Sequence, residues 1–358
     1  MSETMDGVIR DIKVLQSRLE FAQFGEKRIL NRADFSICLT AVHSILSHTK
    51  PIGLAPTDSP NMEKLKLHLQ QKTQGGVDKE SVVKYLAKVR HYGCGRKYFD
   101  FWSSWHEKPT FDEGVLKDEN RKRFEELKAF SKPFEEIVGV KGFVAWDVAE
   151  SIQIVREAYL CGYLDERLSS EIITDFSNMA LHTYKDWTDF ALSYVCGGCY
   201  FIYENTGSEE QVKKMCDSIL GALEELFFSE ENDIWGKYAW YQPKNYFNGF
   251  KPEKELADDK QACYVTDRVS IDGKPIQYAE RQLPNPNYPD SGWKFMAGDE
   301  TTKYLSDGNN IGVFTLNHMA NYDESLLDIL DAPVGSVYVR DEQGKFVLRE
   351  KAEAVQEN

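Results

Sequence analysis

An apolar helical pattern near the middle of the chain, from Gly142 to Tyr203, constrains the fold more than any other stretch. Apolar side chains recur there at the spacing that places them on one face of an α-helix. Phe143 and Trp146 lie on the opposite face, so the first turns are expected to be covered on two sides. Gly162 ends the predicted helix, because glycine readily adopts the left-handed conformation common after helix C-termini. The apolar stripe, which predicts a buried central helix, consists of Ala145, Val148, Ile152, Val155, Tyr159 and Tyr163.

Helical periodicity also covers most of the chain around this stretch. Asp78, Asp165 and Ser208 precede predicted helices and are good N-cap residues, since their side chains accept hydrogen bonds from the first free N–H groups. Residues 98–109 are aromatic and are predicted to be irregular. Residues 1–240 are therefore predicted to form a bundle-like helical domain. The segments with helical spacing before the central stretch are 6–24, 34–48, 62–72, 79–91 and 113–134.

Two glycines interrupt the helix predicted to start near Trp187. A glycine inside a helix costs about 1 kcal/mol relative to alanine, so Gly197 and Gly198 need a structural reason. We expect a neighbouring helix to approach closely at this point. The large side chains predicted to form the structural core are Trp146, Tyr159, Tyr163, Trp187 and Tyr194, with Trp293 in the C-terminal part.

The periodicity changes from helical to alternating after residue 260. Residues 241–260 contain prolines, asparagines and a run of charges, and are predicted to be a linker. Beyond them, Asp272-Gly273 stands between two alternating segments and predicts a two-residue hairpin turn. Residues 261–348 are thus predicted to form an α+β domain with a small antiparallel sheet, and 349–358 a disordered tail. The fold class is mainly α with a C-terminal α+β domain.

The formal net charge of −15 limits the kinds of partner that this chain can bind. A strongly acidic protein repels phosphate backbones and anionic lipid, so nucleic acid and membrane are not expected as partners. A basic protein partner would be attracted by the same field. No apolar run reaches the roughly 20 residues of a membrane span, and the acidic start has no signal-peptide apolar region.

The seven cysteines are odd in number, and most stand in apolar helical contexts. This usage is typical of reduced thiols in a reducing compartment, so a cytoplasmic location is expected. Cys196 and Cys199 have the spacing of redox and zinc motifs, but a second such pair is missing. We interpret them as small buried thiols and predict neither a metal site nor a cofactor.

A motif set across about residues 60–240 resembles a bacterial family of helical proteins, domain of unknown function 1266. It includes Gly76-Val-Asp78, Ala145-Trp146-Asp147, Arg156 and Gly162-Tyr163-Leu164, continuing through Trp187, Phe190, Tyr194, Gly197 and Trp235. The chain departs from the family pattern at Glu150, where the family tends to have a basic residue. The resemblance implies a helical domain and no known reaction.

A second set of motifs, over about residues 262–347, resembles domain of unknown function 2185, which is similar to immunity-protein-33-like domains. The run Asp290-Ser-Gly-Trp-Lys-Phe-Met-Ala-Gly-Asp-Glu300 carries most of this resemblance. Asn309-Asn-Ile-Gly312 and Ala332-Pro-Val-Gly-Ser336 continue it. The resemblance implies a role in bacterial toxin–immunity systems, in which a cytoplasmic protein binds a toxin and blocks it.

The carboxylates of the central helix are the alternative candidates for chemistry. Asp147 and Glu150 are three residues apart and share a helix face, so they suit acid–base catalysis, metal binding, or a structural role in caps and ion pairs. We favour the structural role. Arg156 lies on the other side of the same helix and is expected to meet a carboxylate on another helix.

The C-terminal domain mixes acidic and aromatic residues, a composition that suits a protein-binding surface. We therefore predict a non-enzymatic immunity or immunity-like protein that binds a cognate toxin, with no catalytic residues. The alternatives are an enzyme using Asp147, Glu150 and Arg156, and a regulatory or scaffolding protein. The oligomeric state stays open. The candidate partner-binding residues are Asp299, Glu300, Tyr304, Asp307, Tyr322 and Asp323.

Overall fold

The computed structural model describes residues 2–350, and helices dominate its first two thirds. The chain divides into two compact units, Met1–Gln242 and Pro243–Asn358. Most of the tail predicted to be disordered, residues 351–358, lies outside the described residues. The predicted fold class, helical first and α+β at the C-terminus, is confirmed.

A central helix, α9, organises the first unit. Its apolar stripe is buried from Ala145 to Val155 and half-buried at Tyr159. Trp146 and Asp147 on the other face are buried as well, because helices pack on both sides of its first turns. Around α9 lie α5, α6, α10 and α11. The helices of this unit are α1 (Glu3–Phe21), α2 (Arg32–Cys38), α3 (Ala41–Ser47), α4 (Met62–Lys72), α5 (Lys79–Tyr92), α6 (Cys94–Trp105), α7 (Asp118–Ser131), α8 (Glu135–Val138), α9 (Val144–Leu160), α10 (Glu166–Thr183), α11 (Trp187–Thr206), α12 (Glu209–Phe228) and α13 (Ile234–Lys237).

Two segments of the first unit differ from the sequence-based expectation. The helix predicted over 34–48 is broken between α2 and α3. Helix α6 replaces the irregular segment predicted over 98–109, because its aromatic side chains Tyr98 and Phe101 are buried against Phe143 and Phe124. Aromatic residues have modest helix propensity, and tertiary packing overrides it here.

The glycine pair in α11 lies where two other helices come close, as expected. A Cβ atom at Gly197 would lie 2.5 Å from the Cβ of Trp146 on α9. A Cβ atom at Gly198 would lie 2.6 Å from Cδ1 of Ile219 on α12. The missing side chains therefore let α11 pack directly against both neighbours.

The second unit is built on a six-stranded sheet with the order β4-β1-β3-β2-β5-β6. The predicted sheet was antiparallel, whereas the observed sheet is mixed, because β1 pairs in parallel with β3. The remaining pairs are antiparallel. The elements are β1 (Ala262–Thr266), α14 (Asp267–Ser270), β2 (Tyr278–Arg281), β3 (Asp290–Met296), α15 (Thr302–Leu305), β4 (Ile311–Thr315), α16 (Leu316–Tyr322), β5 (Val337–Arg340) and β6 (Phe346–Glu350).

The hairpin predicted at Asp272-Gly273 is wrong. Strands β1 and β2 are separated by β3 in the sheet, and the dipeptide follows α14 instead. Gly273 has a φ of +70°, and Lys274 N–H donates to the carbonyl of Arg268. Gly273 is thus the left-handed residue that follows a helix. A hairpin turn also requires a residue with positive φ, so the same dipeptide fits both positions.

The segment predicted to be a linker packs onto the second unit. Phe247 is buried in the core of this unit, with its ring 4.9 Å from that of Phe314 and 4.4 Å from that of Tyr322. The Asn317 side chain accepts hydrogen bonds from the N–H groups of Leu256 and Ala257. The part of the chain from Phe247 to Ala257 therefore belongs structurally to the second unit.

No helix within residues 2–350 combines the length and apolar character that a membrane crossing requires.

Candidate functional site

Asp147 holds the start of a neighbouring helix. Its carboxylate accepts hydrogen bonds from the N–H groups of Cys94, at 2.9 Å, and Gly95, at 2.7 Å, in the first turn of α6. A Cβ atom at Gly93 would lie 2.4 Å from Oδ2 of Asp147, so glycine permits this approach. Burial raises the pKa of Asp147 to about 7, because its effect is larger than the opposite effect of the two N–H groups, which lower the pKa. The carboxylate is thus engaged in joining α9 to α6.

Glu150 lies one turn further along α9 and is paired with a histidine and a lysine. His43 Nε2 is 3.0 Å from Oε1, and Lys72 Nζ is 2.7 Å from Oε2. Burial alone would raise the pKa of Glu150, but His43 and Lys72 outweigh burial and hold it well below its usual value. The Tyr194 hydroxyl lies 3.2 Å from the same His43 nitrogen and extends the network.

Both carboxylates line a cleft of about 880 Å³ in the first unit. The cleft is bounded by α4, α5, α6, α9 and α11. Its volume falls within the range of small-molecule sites. Four lysines and three carboxylates line it, together with aromatic side chains that include Tyr85, Trp146 and Phe201.

Arg156 takes no part in this cleft. The prediction that it meets a carboxylate on another helix is wrong, because the fully buried guanidinium is held by backbone oxygens of a loop. Arg156 donates to the carbonyls of Lys50, Gly53 and Leu54 at 2.8, 3.1 and 3.3 Å. It also donates to Thr40 Oγ1 at 2.9 Å. The catalytic alternative thus has Asp147 and Glu150 in one cleft, without Arg156, and His43 contacts Glu150 from outside the cleft lining.

In the second unit, three of the candidate partner-binding residues cluster around α15. Asp299 is exposed and pairs with Lys274, and Arg268 lies 3.9 Å from it. The same guanidinium lies over the ring of Tyr304, 5.4 Å from the ring centre. The exposed Asp307 accepts a hydrogen bond from Asn309 N–H just after α15. We call Asp299, Tyr304 and Asp307 the α15 surface.

The other three candidates make internal contacts. Glu300 accepts hydrogen bonds from Ala297 N–H and Gly298 N–H, both at 2.8 Å, so it stabilises the turn after β3. Asp323 is paired with Arg340, and the ring of Tyr322 packs on Phe247. Their side chains are only partly exposed, so most of their interactions are already within the unit.

The residues predicted to form the core differ in burial. Trp187, Tyr194 and Trp293 are almost fully buried, and Trp146 is 6% exposed at the wall of the cleft. Tyr159 and Tyr163, at the C-terminal end of the central helix, are half-buried.

All seven cysteines are free thiols. Cys199 forms no disulfide with Cys196 and lies beside Cys216. Burial raises the pKa of Cys196 well above its usual value, and the hydrogen bond with Cys216 together with burial does the same for Cys199. Within residues 2–350, no group of three or more His, Cys, Asp or Glu side chains is arranged to hold a metal ion.

Several residues that line the cleft or contact the candidate site residues were not identified from the sequence. His43 and Lys72 come from α3 and α4, far from Glu150 in the chain, and carry no local motif. Lys84 and Lys88 are four residues apart on α5, a spacing that places them on one face and was a usable signal. Arg268, which connects Asp299 and Tyr304, follows β1 without any pattern.

Comparison with known proteins gives two family matches, one in each of the two units. Residues 67–240 match the family model of the protein of unknown function DUF1266. Residues 263–350 match that of the immunity protein Imm33 domain. We call the two matching segments the DUF1266 region and the Imm33 domain. The predicted pair of families, in this order, is confirmed, and the Imm33 match indicates an immunity-type protein with a protein partner. No curated protein and no solved structure gave a significant match.

Proposed function

We propose that this protein neutralises a bacterial toxin in the cytoplasm by binding it directly through the Imm33 domain, without catalysing a reaction. The match of residues 263–350 to the immunity protein domain carries this proposal. The DUF1266 region serves as the scaffold of the complex or as a second binding module.

The charge of the Imm33 domain supports a basic toxin surface as its target. Acidic residues outnumber basic residues between positions 243 and 350, and they include the exposed Asp299 and Asp307. Complementary charge accelerates the encounter of two proteins and disfavours wrong partners. A basic partner would therefore associate quickly, and its association rate would fall as salt screens the charges.

The α15 surface is the part of the domain that we propose as the centre of the toxin interface. Tyr304 is partly exposed, and Arg268 holds its ring, so little side-chain freedom would be lost on binding. Beside it, a depression of about 150 Å³ is lined by apolar side chains that include Leu305, Ile311 and Met296, and by the polar side chains Thr266, Glu280, Gln282 and Lys294. An aromatic anchor next to a depression of mixed polarity and an acidic rim offers a partner both contact area and specific polar contacts.

The experiment co-expresses this protein with the toxin encoded beside its gene and measures cell survival and binding kinetics. We expect the wild type to protect cells. Asp299→Lys with Asp307→Lys should lower the association rate and flatten its salt dependence, because exposed rim charges act mainly on association. Tyr304→Ala should weaken binding by about 2 kcal/mol through faster dissociation.

A matched control reverses Asp328 and Asp331, which carry the same charge in the same domain outside the α15 surface. Glu300 is left unchanged, because its carboxylate stabilises a turn. Equal slowing by the two pairs would remove the α15 surface from the proposal. Lack of binding between the wild-type protein and every product of the neighbouring genes would contradict the immunity function itself.

A further inference from the structure

The cleft of the DUF1266 region differs in charge from the rest of the protein. Four of the residues that line it are lysines, in a chain whose net charge is −15. The cleft is also lined by three carboxyl groups, those of Glu150, Glu204 and Asp147. Burial raises the pKa of Asp147 to about 7, so this carboxyl group is only partly ionised at neutral pH. The cleft therefore carries a positive excess inside an acidic protein.

Two of the four lysines have no partner in the part of the chain that the structure describes. Lys84 and Lys88 project from successive turns of α5, are exposed, and make no ion pair or side-chain hydrogen bond within residues 2–350. Lys97, in contrast, is paired with Glu204 at 2.6 Å. Exposed lysine side chains that line a cleft and make no ion pair are suited to bind an anionic group.

The wall of the cleft adds a third ammonium group with spare donors. Lys72 gives one hydrogen bond to Glu150, at 2.7 Å, although an ammonium group has three N–H donors. Its Nζ atom lies 5.1 Å from the ring centre of Phe201. Phe201 packs on Trp146 with a ring-centre distance of 5.3 Å, and both rings line the cleft beside Tyr85. The ring of Phe201 thus stands next to the ammonium group of Lys72.

We propose that this cleft binds a small organic anion that has a planar ring and a carboxylate or phosphate group. The ring would lie against Phe201 and Tyr85, and the anionic group would be bound by Lys84 and Lys88, with Lys72 as a further donor. The volume of about 880 Å³ accommodates a ligand of this size. This site is separate from the α15 surface and does not depend on toxin binding.

The test measures binding of three probes to the full-length protein by calorimetry. Phenyl phosphate has both the ring and the anion, inorganic phosphate has the anion alone, and benzyl alcohol has the ring alone. We expect phenyl phosphate to bind at least about tenfold more tightly than either of the others, because the two parts of the site then contribute together. Phenyl phosphate binding no tighter than that of inorganic phosphate or benzyl alcohol would overturn the proposal.

Two pairs of substitutions locate the anion subsite. Lys84→Gln with Lys88→Gln should weaken phenyl phosphate binding at least about fivefold, since two attractive charges are lost. Lys64→Gln with Lys79→Gln is the matched control, because it removes two exposed lysines outside the cleft and changes the net charge equally. All four side chains are exposed, so thermal midpoints should stay within a few degrees of wild type. Equal weakening by both pairs would overturn the assignment.

Phe201→Leu tests the ring subsite while keeping an apolar side chain at this position. It should weaken phenyl phosphate and benzyl alcohol and leave inorganic phosphate unchanged. A variant that weakens all three probes equally would show that Phe201 acts on the structure of the cleft as a whole, and the ring subsite would then be rejected.

Discussion

The buried or partly buried charged residues of α9 connect this helix to several parts of the first unit. Asp147 binds the N-terminus of α6, Glu150 binds side chains of α3 and α4, and Arg156 binds the loop that follows α3. A buried charge is costly unless hydrogen bonds and opposite charges compensate for it. Glu157, also buried, binds His68 of α4. These contacts explain how one helix carries four buried or partly buried ionisable groups and still forms the centre of the core.

Asp147 should give the protein a distinctive dependence of stability on pH. Its folded-state pKa of about 7 lies above the ordinary value of 3.8, so the folded protein binds the proton more strongly. Its contribution is therefore largest below the unfolded pKa and is lost as pH rises towards about 7, by about 1.4 kcal/mol for each pH unit between the two pKa values. Asp147→Asn cannot titrate. We expect the free energy of unfolding of the variant, measured in urea titrations, to rise relative to that of the wild type as the pH increases from 5 to 8.

Two neighbouring titratable groups, His68 and Glu150, contribute equally in the variant and in the wild type, so the comparison cancels them. The hydrogen bond with Glu157 raises the pKa of His68, so stability from His68 is also lost as pH rises, but in both proteins equally. Glu150 has a lowered pKa and stays ionised over this range in both. A difference between the two proteins that is constant from pH 5 to pH 8 would contradict the raised pKa of Asp147.

Arg156 should be irreplaceable by lysine. The guanidinium reaches three carbonyls and one hydroxyl at once, whereas the single ammonium of lysine cannot span them. We expect Arg156→Lys to destabilise the protein by about 3 kcal/mol, because buried carbonyls lose their donors, and to speed proteolysis within residues 49–57. Arg167→Lys is the control, since Arg167 is exposed and pairs only with Glu171 one turn away. A loss as small as that of the control would show that the loop does not depend on Arg156.

At the level of elements, the packing of α11 depends on two positions without side chains. Gly197 faces α9 and Gly198 faces α12, and the three helices meet with Trp146 between them. Helices approach more closely where small residues form the contact, so neither position can hold a Cβ atom without displacing backbone or a buried side chain. The glycines therefore set the distance between the helices that bear the cleft.

The glycine positions allow a matched pair of substitutions. Gly197→Ala should destabilise the first unit by about 2 kcal/mol, because the new methyl group meets Trp146 and overpacking costs about this much. Gly221→Ala in α12 should instead stabilise by up to about 1 kcal/mol, since nothing lies within 4 Å of its Cβ and alanine is the better helix former. Thermal or urea unfolding measures both. Equal effects at the two sites would show that α11 is not tightly packed at Gly197.

For the whole molecule, the boundary between the units has consequences for how the chain can be divided. The second unit starts at Pro243, and Phe247 and the segment up to Ala257 contribute to its structure. The composition of residues 241–260 predicts a linker, and the separability of the two units stays a prediction.

Two fragments test this boundary. Residues 243–350 should fold cooperatively, and residues 261–350 should be less stable by about 3 kcal/mol, because the latter lack the Phe247 ring that packs on Phe314 and Tyr322. Urea unfolding followed by circular dichroism measures the difference. Equal stability of the two fragments would mean that residues 243–260 act as a plain linker, and a failure of both to fold would show that the units are not separable.

The sequence by itself determined the features that depend on neighbours in the chain. The stripe of α9 and the N-caps at Asp78, Asp165 and Ser208 are present as expected, because periodicity and capping act over three or four residues. The two family resemblances were equally readable, since each rests on motifs within its own segment.

Only the tertiary structure decided which distant groups meet. The oxygens that bind Arg156, the pairing of His43 and Lys72 with Glu150, and the insertion of β3 between β1 and β2 all join residues far apart in the chain. Local propensity carries no information on such contacts: a buried arginine donates to carbonyls as well as to carboxylates, and Asp-Gly fits both a hairpin and a helix end. The choice follows from packing, which selects the one arrangement that buries the apolar faces while giving each buried charge its partners.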